Sequence, residues 1–168
     1  MPPPFTTYYQ SPVGLLRLSG TEHYLSEVCF IDNSDQLPPD DASAGALPPL
    51  AIQATEELIQ YFHGDRRSFE LPVSQSGTEF QQKVWSELVN IPFGKTISYQ
   101  ELARRLGDPK VIRAAASTNG KNQLAIIVPC HRVIGAKNDL VGYAGGLWRK
   151  RWLLEHEKKI AHGVLTLF

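Results

Sequence analysis

The feature that most constrains this chain is a run of helix starts and stops between residues 78 and 118. Thr78-Glu79-Phe80-Gln81 has the spacing of a capping box. In it the Thr78 hydroxyl and the Gln81 amide satisfy N–H groups left over at a helix start. Val84, Trp85, Leu88 and Val89 follow at helical spacing, and Pro92-Phe93-Gly94 stops the helix. Ser98-Tyr99-Gln100-Glu101 repeats the signature, with Tyr99, Leu102, Ala103 and Leu106 on one stripe. Gly107 ends that helix. Asp108-Pro109 starts another at once, with Asp as N-cap and Pro at the first helical position. Two short helices joined by Gly-Asp-Pro predict a helix-turn-helix, the second helix running from Pro109 to about Thr118. Its middle, Arg113-Ala114-Ala115-Ala116-Ser117, is a flat face with one long cation. Such a face suits close approach to another surface, and it equally suits a tightly packed core helix.

The first part of the chain has a different period. Phe5 to Gln10, Val13 to Ser19 and Leu25 to Ile31 read as strands, the first two flanking the turn signal Ser11-Pro12. Cys29, between Val28 and Phe30, is expected to be a small core hydrophobe. Residues 32–49 are acidic and rich in Pro, Ala and Gly, and are expected to form a loop. Ala51 to Phe62 is expected to be helical, with Ile52, Leu58, Ile59 and Phe62 inward. A short extended piece, Phe69 to Val73, precedes Ser74-Gln75-Ser76-Gly77. Two domains are therefore expected: 1–77, carrying the acidic loop, and 78–168.

Charge divides at the same place. Residues 1–79 hold three basic and eleven acidic residues, a balance of −8, and residues 80–168 hold fourteen and six, a balance of +8. A polyanion would meet the second half and be repelled by the first, with nucleic acid the obvious candidate. Two oppositely charged faces that attract each other across a domain interface would give the same numbers. No apolar run approaches the roughly 20 residues that span a bilayer, and the N-terminus lacks a signal-peptide pattern. A cytoplasmic protein with two reduced cysteines and no membrane attachment is expected.

After the turn signal Asn119-Gly120-Lys121-Asn122 comes the apolar run Leu124 to Val128, read as a buried strand ended by Pro129. Cys130 and His131 follow. A thiol needs ionisation to act as a nucleophile, and a neighbouring base supplies it. In an extended chain successive side chains point to opposite faces, so a Cys130–His131 relay needs a turn or a bridging water. Near the end, Leu147 to about Glu157 is helical, with Leu153, Leu154 and Glu157 on one face. An inward Glu157 could orient His131. The plain alternative has a structural Cys130 and a surface His131. The spacing of Cys29, Cys130 and the five histidines matches no metal-ligand pattern, so neither metal nor cofactor is expected.

Val128-Pro129-Cys130-His131-Arg132-Val133-Ile134 resembles the active-site motif of the O6-alkylguanine-DNA alkyltransferases. Around it stand Phe93-Gly94, Ser98-Tyr99, Arg113, Gly120-x-Asn122, Gly142-Tyr143-x-Gly145-Gly146 and Lys150-x-Trp152-Leu153-Leu154-x-His156-Glu157. The resemblance is close over residues 78–158. It implies an α+β chain: a small N-terminal antiparallel sheet with a helix, ribonuclease-H-like, then a mainly helical domain with the helix-turn-helix. It implies single-turnover transfer of an alkyl group from O6-alkylguanine, and from O4-alkylthymine, to Cys130. His131 would act through a water, Glu157 would orient His131, and Asn122 would fix the supporting turn. Tyr99 would rotate the nucleotide and donate a proton to the leaving base. Arg113, Tyr99, Gln100, Ala114 and Ser117 would face double-stranded DNA in its minor groove, with Arg113 filling the stack. Tyr143, the Ala144 amide and the Val133 carbonyl would line the base pocket. A monomer is implied. The sequence departs from the family's usual residues at Ala115, Ala116, Gln123 and Ala144. Two other readings stand beside it: a lesion-binding protein without transfer, and a cysteine hydrolase.

Overall fold

The structure, a computed structural model, describes residues 4–32 and 46–163. The chain divides into two compact units, Met1–Gln75 and Ser76–Phe168.

In the first unit β1 (Phe5–Ser11), β2 (Gly14–Gly20) and β3 (Leu25–Phe30) form an antiparallel sheet in the order β1-β2-β3. Ser11 closes the first turn, its hydroxyl accepting from the Val13 N–H and donating to the Gly14 carbonyl. Alternation then sorts the faces: Leu16, Leu18, Leu25 and Val28 are buried. The helix α1 (Pro49–His63) packs on the sheet through Leu50, Ala51, Ala54, Leu58, Tyr61 and Phe62. It starts two residues earlier than expected, because Pro49 fits the first helical position. Ile52 lies on the solvent side, 50% exposed, contrary to expectation; Ala51 and Ala54 are the inward residues there. The extended piece at 69–73 docks beside β3, with Leu25 and Val73 bridged in parallel. Cys29 is not in the core. It sits half-buried on the face opposite Val28, paired across the sheet with Arg17. The expected acidic loop at 32–49 lies largely outside the described residues.

In the second unit α2 (Glu79–Val89) begins with the expected capping box, both reciprocal bonds present. Val84, Trp85 and Leu88 are buried; Val89 is exposed and Ile91 takes its place in the core. After β4 (Ile97–Ser98), α3 (Tyr99–Arg105) is capped by the Ser98 hydroxyl, which accepts from the Glu101 N–H. Glu101 does not complete the box, because its carboxylate is engaged by Arg104 and Arg105. The predicted third helix starts as a 3-10 turn, Pro109–Val111, capped by Asp108, and continues as α4 (Ile112–Gly120). Asn119 and Gly120, expected in a turn, form the end of α4. A 3-10 turn at Cys130–Arg132 leads into β5 (Val133–Ile134), and α5 (Leu147–His162) completes the unit. The chain is α+β, as its sequence implies. Among the described residues no helix is long and apolar enough to cross a membrane.

Candidate active site

The predicted strand at 124–128 does not form, and one side chain accounts for this. Asn122 Nδ2 donates to the Val128 carbonyl at 2.8 Å and to the Leu124 carbonyl at 3.3 Å, and Oδ1 accepts from the Leu124 N–H. The backbone between is drawn into a closed loop, with Val128 N–H on the Leu124 carbonyl. Ile126 is held at φ 71, a costly position for a β-branched residue, while Leu124, Ile126, Ile127 and Val128 are all buried. Burial of four apolar side chains outweighs that local strain. The chain leaves this loop at Pro129 already turning, so Cys130–Arg132 is a 3-10 turn and not an extended segment. Three residues per turn set adjacent side chains about 120° apart, so Cys130 and His131 diverge without facing opposite ways.

His131 is fully buried, which excludes the surface alternative. Its Nε2 lies 2.6 Å from Glu157 Oε2. Burial lowers the imidazole pKa, outweighing the opposing pull of Glu157, and Arg132 and Lys150 lower it further, so the neutral ring prevails at pH 7. A carboxylate only accepts, so Nε2 carries the proton and donates it to Glu157. Nδ1 is then a lone-pair acceptor, buried and without a hydrogen-bond partner among the described residues.

Glu157 holds more than His131. Arg132 donates to it twice, Nε to Oε1 at 2.8 Å and Nη2 to Oε2 at 3.0 Å, and the Gly94 N–H reaches Oε1 at 3.2 Å. Gly94 lies at φ 79, and a Cβ there would meet Ala161 Cβ at 2.6 Å. The backbone can therefore approach Glu157 only as glycine. Burial pushes the Glu157 carboxyl up, but the hydrogen bonds from His131 and Arg132 and the charge of Arg132 hold it well below the usual carboxylate range. Arg132 also donates to the Ile91 carbonyl at 2.7 Å, tying the network to the end of α2.

Cys130 is buried, and that burial pushes its thiol up; the Asn122 amide and the charge of Lys150 act in the opposite sense. Asn119, at the end of α4, donates to the Cys130 carbonyl at 3.3 Å. Tyr99 stands at the start of α3, its ring 5.9 Å from Lys150 Nζ and its hydroxyl donating to the Val141 carbonyl at 3.2 Å. Burial raises the phenol pKa of Tyr99, and that of Tyr143 well above its ordinary value, so both keep their protons. The parallel pair of β4 and β5 joins Ile97 to Val133 and Ser98 to Ile134. This sets the Tyr99 helix start beside the strand that follows Cys130. Gln100, Arg113, Ala114, Ser117 and Ala144 are exposed, Tyr143 is half-buried and Val133 is buried. A cavity of about 410 Å³ lies against Glu157, lined by Gly94, Thr96, Ile134, Leu154, Arg151 and His162 among others. Neither Cys130 nor Tyr143 lines it, so it is not the expected base pocket.

Comparison with known proteins gives this geometry a family. Residues 5–75 match "6-O-methylguanine DNA methyltransferase, ribonuclease-like domain" and residues 79–159 match "6-O-methylguanine DNA methyltransferase, DNA binding domain". The chain belongs to the 6-O-methylguanine DNA methyltransferase family. It is 42% identical to the methylated-DNA–protein-cysteine methyltransferase of Mycolicibacterium paratuberculosis, over 94% of each chain. It is 39% identical to the constitutive enzyme of Bacillus subtilis, over 92% of this chain and 95% of that one. The crystal structure of Mycobacterium tuberculosis O6-methylguanine methyltransferase superposes with a TM-score of 0.82 at 41% identity, covering 99% of both chains. The structure of Mycobacterium tuberculosis OGT in complex with DNA gives 0.81 at 40% identity, over 93% and 94%.

In this member of the family, sequence reasoning missed three residues of the site. Arg132 neutralises Glu157, Asn119 ties α4 to Cys130, and Lys150 lies fully buried beside Tyr99. Arg132 and Lys150 stood in the sequence as part of a basic half, and nothing in their spacing marked them as internal. Asn119 was hidden by the reading of 119–122 as a turn.

Proposed function

We propose that this protein repairs double-stranded DNA by moving the alkyl group of O6-alkylguanine onto Cys130, once per molecule. One observation carries the reading. The residue after Cys130, in the same 3-10 turn, carries a neutral imidazole whose Nε2–H is fixed on Glu157 and whose Nδ1 is buried without a hydrogen-bond partner among the described residues. That is a base with its tautomer already chosen, in the general pattern of nucleophile, base and orienter.

The alkyl group on guanine O6 is buried in the duplex, so the nucleotide must leave the stack, at a cost of about a few kcal/mol. Arg113 on the exposed face of α4 fills the gap, and Tyr99 presses the backbone aside. The flipped base sits against Tyr143 and is read by the Ala144 N–H and the Val133 carbonyl. Cys130 Sγ then attacks the alkyl carbon. The S–C bond forms as the C–O6 bond breaks, and the electron pair stays with the guanine. The thiol proton passes through a water to His131 Nδ1, the Tyr99 hydroxyl supplies a proton to the departing guanine, and the proton held by His131 then returns through water to the Tyr99 phenolate, so that both side chains end neutral. The imidazolium is stabilised by Glu157. The thioether has no carbonyl for water to attack, so the thiol is not regenerated.

The reacting centre is an alkyl carbon on an exocyclic oxygen, and O4-alkylthymine presents the same centre on a smaller ring. We extend the substrate range to it. We place the site of action on chromosomal DNA in the cytoplasm, with the protein acting as a monomer.

The test is intact mass after mixing the protein with duplex DNA carrying O6-methylguanine, and in a second arm O4-methylthymine. A gain of one methyl, absent in Cys130→Ala, is expected in both. An unchanged mass with bound DNA would make the protein a lesion binder instead, and repeated turnover of an ester would make it a hydrolase.

A further inference from the structure

Arg149 and Lys150 open α5 as part of a basic triplet, the kind of sequence that suggests contact with phosphate. They do not face outward. Arg149 is 3% exposed and Lys150 is fully buried. Both reach back to backbone carbonyls of the segment just before their own helix. Lys150 Nζ donates to the Val141 carbonyl at 2.8 Å and to the Gly142 carbonyl at 3.2 Å, and Arg149 Nη1 donates to the Gly145 carbonyl at 3.1 Å.

That segment carries the expected base pocket. Residues 139–143 form neither helix nor strand. The backbone bonds at its two ends are Gly135 N–H to the Asp139 carbonyl, Asp139 N–H to the Ala136 carbonyl and Gly146 N–H to the Tyr143 carbonyl. Gly142 sits at φ 57, with open space around it. Such a stretch has several conformations of similar energy unless something selects one. The carbonyls of Val141 and Gly142 are the handles by which it is selected.

The Val141 carbonyl has a second donor, the Tyr99 hydroxyl at 3.2 Å. A carbonyl oxygen has two lone pairs, so Tyr99 and Lys150 together fill it. Tyr99 cannot hold Val141 and donate to a departing base with the same proton. When it lets go, Lys150 is the donor that remains.

Resting on the reading of the site given above, we propose that Lys150 is a positioning residue for the base pocket: it clamps the backbone that leads into Tyr143 and Ala144, so that the pocket keeps its shape when the Tyr99 hydroxyl leaves the Val141 carbonyl. Arg149 secures the other end of the segment. The buried ammonium has three donors, two of them used on these carbonyls, which suits it to hold two successive peptide groups at once.

The experiment compares wild type with Lys150→Met, which keeps the unbranched stem and removes the donors. The bonds of Lys150 go to backbone carbonyls and not to a carboxylate, so the substitution orphans no buried charge, and the exposed Val141 and Gly142 carbonyls can turn to water. Two quantities are read. The first is amide hydrogen exchange in peptides covering 139–146, with 79–89 as internal reference. The second is single-turnover methylation by duplex DNA with O6-methylguanine, fitted for its maximal rate and its half-saturating concentration. The clamp predicts exchange about tenfold faster in 139–146 and unchanged in 79–89. It also predicts a maximal rate down about tenfold, with half-saturation within about twofold. Unchanged exchange, or an unchanged maximal rate, overturns it, as does a rise in half-saturation alone, which would put Lys150 on the DNA surface. If wild type fails to methylate Cys130, the functional reading fails, while the exchange arm still decides the clamp. If Lys150→Met does not fold, wild type labelled with 15N at lysine Nζ decides. The clamp predicts one slowly exchanging ammonium with scalar coupling to the Val141 carbonyl, and its absence overturns the proposal.

Discussion

Glu157→Gln perturbs the site more informatively than removal of the thiol. The carboxylate accepts two bonds from Arg132, one from His131 and one from the Gly94 N–H. Glutamine supplies one oxygen and one NH2 group in the same space. If the oxygen keeps Arg132 and Gly94, the NH2 faces His131 Nε2, and that nitrogen must become an acceptor. The imidazole proton then moves to Nδ1, the position from which the base has to act. The substitution therefore selects the wrong tautomer as well as removing charge. It also leaves the Arg132 guanidinium, 7% exposed, without its counter-ion. Breaking one side of a buried ion pair costs about 3–5 kcal/mol. For a unit of this size each kcal/mol moves the melting temperature by about 4–8 °C, so a drop of at least about 10 °C is expected. Loss of a positioned general base costs a further factor of about 10²–10⁴ in rate. Calorimetry gives the first quantity. Single-turnover methylation, run well below the lowered melting point, gives the second, and 15N chemical shifts of His131 report the tautomer directly. A variant that melts within about 2 °C of wild type and methylates within threefold of its rate would refute the reasoning, because both magnitudes come from the same four bonds.

Other expectations follow from the same geometry. Because burial lowers the His131 pKa, the base stays unprotonated as pH falls through the ordinary imidazole value of about 6.5, so the methylation rate should show no step there; stopped single-turnover reactions from pH 5.5 to 8 check this. Folding stability should fall on acidification in two stages. Loss begins near pH 6.5, where unfolded histidine binds a proton that buried His131 resists, and deepens below about 4.5, where unfolded Glu157 does the same; urea melts across that range test it, and Glu157→Gln should shrink the second stage to what the exposed Glu101, held by Arg104 and Arg105, still contributes. Asn122→Ala removes three hydrogen bonds that close the 124–128 loop and should cost about 2–4 kcal/mol, with faster hydrogen exchange at Leu124 and Val128. Arg113→Ala should slow methylation within duplex DNA about tenfold or more and leave melting unchanged, since the side chain is exposed.

The helical half of the fold was legible because its signals are local. Thr78, Gln81, Ser98, Asp108 and Pro109 act on backbone groups within a few residues, and the helices start where those residues stand. The segment leading to Cys130 was misread for the opposite reason. A run of Leu, Ala, Ile, Ile and Val has the composition of a buried strand, and its closure into a loop depends on Asn122 reaching six residues ahead to Val128. In the site, Glu157 was legible because helical spacing put it on the stripe of Leu153. Arg132, Asn119 and Lys150 were not, since what makes them part of the site is a partner far along the chain or a backbone carbonyl, and neither has a sequence signature. Charge counting misled in the same way. Of the basic residues in the second half, Arg132, Arg149 and Lys150 point inward.

The central claim is that Cys130 is the acceptor and is consumed. The most direct measurement titrates a fixed amount of protein with an excess of duplex DNA whose O6-methylguanine carries an isotope-labelled methyl group, then counts label by mass at the peptide holding Cys130. The account predicts a plateau at one methyl per chain, all of it on Cys130, with no further loss of O6-methylguanine after the plateau. Label elsewhere on the chain, or continued demethylation by protein whose Cys130 stays free, would contradict it.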